Sequence, residues 1–76
     1  MLQNYEQSEY MIYDVEDSEF LSTIYANSIS TNKNIDSALK FNSFELADGM
    51  AIILKKRGDV NKYAIVKRTY SVEVIE

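Results

Sequence analysis

The sequence predicts a small α+β domain: a single-layer antiparallel (or mixed) sheet in the order β-β-α-β-β, with one short helix packed on one face. Three observations carry this expectation. The chain has 76 residues, the length of one domain spanning 1–76. Residues 10–15, 20–26 and 63–75 are rich in aromatic and β-branched side chains, as strands are. Ile35, Ala38 and Leu39 recur at helical spacing.

Residues 1–8 are polar and aperiodic and read as a loose end. The first strand, 10–15, carries apolar groups on both faces, Tyr10 and Ile12 on one, Met11, Tyr13 and Val15 on the other. A strand of that kind is covered on both sides or lies where another molecule covers it. The polar Glu16-Asp17-Ser18-Glu19 reads as a tight hairpin turn. In the second strand, simple alternation turns Phe20 and Ile24 to the core and Leu21 and Tyr25 partly outward.

Residues 27–34 are rich in Ser, Thr and Asn and read as a loop ending in good N-caps. A helix over 33–42 follows, with Asp36 in its first turn and Lys40 in its last. Residues 43–49 read as an irregular link closed by a turn at Asp48-Gly49. Residues 50–56 read as a strand, 57–61 as the loop of a second hairpin, and 63–75 as a long last strand. Arg68 falls on the apolar face of that strand, which indicates a bend, a sheet edge or an exposed end.

Composition excludes several chemistries. Apolar residues make up 46% and charged residues 26%, so the chain is globular in composition and not disordered. It has no cysteine and no histidine, which removes disulfides, thiolate nucleophiles and the commonest general base and metal ligand. With two glycines it has no glycine-rich loop to cradle phosphate. No enzyme activity, cofactor or metal is expected. The longest apolar run, Met50-Ala51-Ile52-Ile53-Leu54, is far short of the ~20 residues that span a bilayer. The first residues have no basic region followed by an apolar stretch, so no signal peptide and a cytoplasmic location are expected. No membrane partner is expected.

Charge is the most informative feature. Residues 1–50 hold nine acids and two bases, a balance of −7, whereas residues 51–76 hold six bases and three acids, a balance of +3. Asp14, Glu16, Asp17 and Glu19 place four carboxylates within six residues. An EF-hand loop would need glycine at its sixth position and glutamate at its twelfth, and neither is present. The cluster reads as a solvated turn or as an anionic recognition surface. With the neighbouring tyrosines, the expected partner-binding residues are Tyr10, Tyr13, Asp14, Glu16, Asp17, Glu19 and Tyr25. They suit a partner protein with a basic surface.

An alternative places the work at the other end of the chain. Lys55, Lys56, Arg57, Lys62, Lys67 and Arg68, interleaved with Tyr63 and Tyr70, could form a groove for a single nucleic-acid strand. A net charge of −4 opposes that, and no oligonucleotide binding is expected. Arg57-Gly58-Asp59 matches the tripeptide of integrin ligands, but three residues recur by chance. A homodimer with a structural role is a further alternative. Small, acidic, cysteine-free chains of this kind are common among phage and mobile-element accessory proteins. The leading expectation is an inhibitor or regulator whose carboxylates stand in for phosphates on a partner's nucleic-acid channel, in the manner of anti-CRISPR or anti-restriction proteins.

Overall fold

The computed structural model describes residues 3–25, 28–57 and 62–75. It is an α+β arrangement, with a four-stranded, fully antiparallel open sheet and one α-helix. The strands are β1 (Gln3–Asp14), β2 (Glu19–Ile24), β3 (Ile29–Asn32) and β4 (Tyr63–Val74), and the helix α1 is Phe44–Lys56. The spatial order is β3-β2-β1-β4. The chain order is therefore β-β-β-α-β, which corrects the expected β-β-α-β-β.

Several assignments differ from the expected ones. Residues 29–32, inside the expected loop 27–34, form β3, because their backbone pairs antiparallel with β2. The stretch expected as the helix 33–42 forms only a single 3-10 turn at Ile35–Ser37, capped by Asn34, whose side chain accepts from the Asp36 N–H. Beyond it the backbone is extended, because sheet bonds claim its polar groups. Leu39 N–H donates to the Leu21 carbonyl at 2.9 Å, and Phe41 exchanges bonds of 2.8 and 3.0 Å with Tyr10. The segment thus lies in the gap that opens where β2 leaves β1, since those two strands pair only at Tyr13–Phe20 and Asp14–Glu19. Lys40 supports the turn by donating to the Ala38, Ile35 and Asp36 carbonyls.

The helix lies instead over the expected link and third strand. Ser43 is its N-cap, accepting from the Leu46 N–H at 3.2 Å, with Glu45 in the first turn and Lys55 and Lys56 in the last. Ala47, Ala51 and Leu54 form its buried stripe at i, i+4 and i+7. Gly49, a turn residue on the sequence reading, sits inside the helix on an open side. The residues of the expected hairpin loop that fall at 58–61, like Ala26 and Asn27, lie outside the described residues.

The helix covers one face of the sheet. Ile12, Leu21, Ala51, Leu54 and Tyr63 form the core, with Ile24, Ile29, Leu39, Phe41 and Met50 packed against it. A β-bulge at Ser22 puts both Leu21 and Ile24 on this face. Without the bulge they would point opposite ways, which is why simple alternation misplaces Leu21 and Phe20. Leu21 is fully buried, and Phe20 turns to the other face against Tyr13, ring centroids 5.1 Å apart. The bulged Ser22 hydroxyl donates to the Ser30 carbonyl.

Residues 3–8 belong to β1, which corrects the expected loose end over that part of 1–8, and residues 1 and 2 lie outside the described residues. The strand pairs with β4 over its whole length, from Gln3–Val74 to Asp14–Tyr63. On the N-terminal side of Tyr10 this pair leaves the body as a two-stranded ribbon. The molecule measures 51 × 23 × 21 Å, and its radius of gyration is 14.6 Å, against roughly 11 Å for a compact chain of this length.

Candidate functional site

The acidic turn stands at one end of the long axis, at the junction of β1 and β2. Asp14 organises it. This residue is 1% exposed, and one carboxylate oxygen accepts the backbone N–H groups of Glu16 and Asp17, both at 3.0 Å. The other oxygen meets the Lys62 ammonium at 3.3 Å. Lys62 also accepts the Val15 N–H through its backbone carbonyl at 2.9 Å, and its ammonium lies 3.8 Å from the Asp17 carboxylate. These contacts hold the Lys62 ammonium above its ordinary pKa, the Asp14 hydrogen bond first, then the charges of Asp14 and Asp17. Ser18 closes the turn with a positive φ of 56°.

Of the expected partner-binding residues, only some form one exposed group. Glu16 and Asp17 are exposed at the turn. Glu19 is half-buried and accepts from the Thr31 hydroxyl at 2.6 Å. Asp14 is internal, and its role is to fix the turn. Tyr13 stacks edge-on with Phe20, on the face opposite the helix. Tyr10 lies on the helix face, edge-on to Phe44 at 6.4 Å, with the Lys67 ammonium 5.9 Å over its ring. Tyr25 is 61% exposed beyond the end of β2.

The basic residues are distributed around the body. Lys55, Lys56 and Arg57 end the helix, and Lys62 serves Asp14. Arg68 pairs across the sheet with Glu9 at 2.7 Å and reaches Asp36 at 3.6 Å, and both raise its pKa, Glu9 first. This opposed carboxylate explains an arginine on an otherwise apolar strand face. Tyr63 is buried in the core, whereas Tyr70 is on the opposite face of β4, where its hydroxyl donates to Gln7 at 2.8 Å.

A second surface lies outside the residues that the sequence singles out. One face of the ribbon carries Tyr5, Tyr70, Val72 and Val74, with Gln7 the polar residue among them, and Tyr5 is 44% exposed. The other face carries Glu6, Ser8, Thr69, Ser71 and Glu73. The available signal is length: a last strand this long needs a partner longer than the six residues of β2.

Among the described residues, no group of three or more carboxylates converges as a metal site, and no helix is long and apolar enough to cross a membrane. Compared with known proteins, the chain matches no family model, no curated protein and no solved structure.

Proposed function

We propose that this chain is a small protein-binding module, acting by occupancy and not by catalysis, that presents its acidic turn to a basic surface of a partner protein. The observation that carries this reading is the Asp14 arrangement. One buried carboxylate holds the Glu16 and Asp17 backbone, so the two exposed carboxylates are offered with their backbone already ordered. Preorganisation lowers the entropic cost of binding. An anionic point of this kind fits a surface built to receive phosphate, and an inhibitor or regulator of a nucleic-acid-binding protein is the form this function takes. That role also suits the composition shared with phage and mobile-element accessory proteins.

The test uses Glu16→Gln with Asp17→Asn, which removes charge and leaves Asp14, Lys62 and Glu19 in place. Capture from an extract of the source cell identifies the partner. The variant should associate several-fold more slowly, with a flatter response to salt. A partner bound equally well by the variant at every salt concentration overturns the proposal.

A further inference from the structure

We propose that two copies of this chain pair through the outer edge of β4, antiparallel about a two-fold axis at Tyr70, making one continuous sheet. The inference is independent of the acidic turn, which stands at the other end of β1.

The edge is open and long. β4 is the last strand of the sheet, and its twelve residues pair on one side only among the described residues. Tyr10 commits its backbone groups to Phe41, so Tyr10 and Lys67 are a non-hydrogen-bonded pair. It follows that the N–H and C=O groups of Ile65, Lys67, Thr69, Ser71 and Glu73 point outward. Edge strands are usually short, bulged, broken by proline or charged, above all with lysine; β4 carries Lys67, whose charge the two-fold register sets opposite Glu73. β3 at the other edge has four residues, whereas β4 has an unbroken register and the chain has no proline.

The edge also complements itself in one register. With Tyr70 opposite Tyr70 of the second copy, Lys67 faces Glu73, Thr69 faces Ser71, and Val66 faces Val74. The two-fold axis repeats each pairing. The register aligns outward-pointing groups with outward-pointing groups, giving about eight new backbone hydrogen bonds. Each Lys67–Glu73 pair shares the helix-side face, while the two Tyr70 rings meet on the other. A slide of two residues either way puts Glu73 opposite Ile65 or Thr69 and loses both charge pairs. A slide of four toward the body sets Arg68 against Arg68. A two-stranded ribbon is marginal alone. The pairing turns the two projecting ribbons into one four-stranded sheet and joins the faces that carry Tyr70.

The chain has no cysteine, so a single introduced thiol reports the register. At a non-hydrogen-bonded pair the Cα atoms are about 4.5 Å apart, within disulfide range. Tyr70→Cys should oxidise to a cross-linked dimer at least tenfold faster than Val72→Cys, whose thiols lie four residues out of step. Sedimentation of the wild-type chain should give twice 8.8 kDa at micromolar concentration. Lys67→Glu should shift it toward monomer, Glu73→Lys likewise, and Lys67→Glu with Glu73→Lys should restore the dimer. Circular dichroism checks that each variant is folded. A wild-type monomer at 100 µM overturns the proposal. So does a dimer in which the Val72→Cys variant cross-links as fast as the Tyr70→Cys variant, or one indifferent to the charge reversals. An oligomer formed only with another protein overturns it as well.

Discussion

The buried carboxylate of Asp14 and the ammonium of Lys62, 3.3 Å apart, join the end of β1 to the start of β4. The same carboxylate accepts two turn N–H groups. One side chain thus fixes both the turn that carries the exposed acids and the entry to the strand that forms the sheet edge. Removing it leaves two donors without that acceptor and a lysine without its nearest counter-charge.

Asp14→Ala should therefore cost about 2–3 kcal/mol in a urea melt. Asp14→Asn keeps an oxygen for the Glu16 and Asp17 N–H groups and should cost less than half as much. Equal losses in the two variants would mean that the charge pair, and not the turn, carries the stability.

The pair also sets a pH dependence. Lys62 is held above its ordinary value of 10.5, chiefly by the Asp14 hydrogen bond. A group raised in the folded state contributes stability fully below its unfolded pKa and loses it as pH rises through the folded one. The stability difference between the wild type and Asp14→Asn should be level through neutral pH and shrink above 10.5. A difference that changes between about pH 6 and 9, below the range where a raised lysine titrates, would locate the dependence elsewhere.

Part of this arrangement is legible in the sequence, and the rest is hidden for physical reasons. The alternation of 63–75 and the polar run 16–19 are local signals, and strand and turn lie where they indicate. Ala38 and Leu39 do turn inward, Ala38 buried and Leu39 against the core. They do so from extended backbone, because Leu21 and Tyr10 take the bonds that a helix would need. Gly49 reads as a breaker, although Ser43 caps and Ala47, Ala51 and Leu54 stripe the helix around it. The bulge at Ser22 and the role of residues 3–8 depend on strands distant in sequence, which local periodicity does not encode. At the acidic turn, carboxylate spacing marks the cluster without separating internal Asp14 from exposed Glu16 and Asp17.

Gly49 gives a stabilising prediction. A Cβ built there meets nothing within 4 Å. Alanine at a solvent-facing helix position gains about 0.5–1 kcal/mol over glycine. Gly49→Ala should raise the melting temperature by a few degrees. A lower melting temperature would show that the helix is not open to solvent at this position.

The placement of 50–56 on a helix is open to a sharp test. On a strand, Ile52 and Leu54 would share a face, and truncating either would cost a similar amount. On α1, Leu54 is 1% exposed in the core, whereas Ile52 is 44% and Ile53 52% exposed. Leu54→Ala should cost about 2–5 kcal/mol, much of the stability of so small a protein. Ile52→Ala and Ile53→Ala remove methyl groups already in contact with water, and alanine is the better helix former, so each should cost under about 1 kcal/mol. Urea melts of the three variants, read by circular dichroism, decide the matter. Comparable losses at positions 52 and 54, with little at 53, would return this segment to a strand and remove the helix from the sheet face.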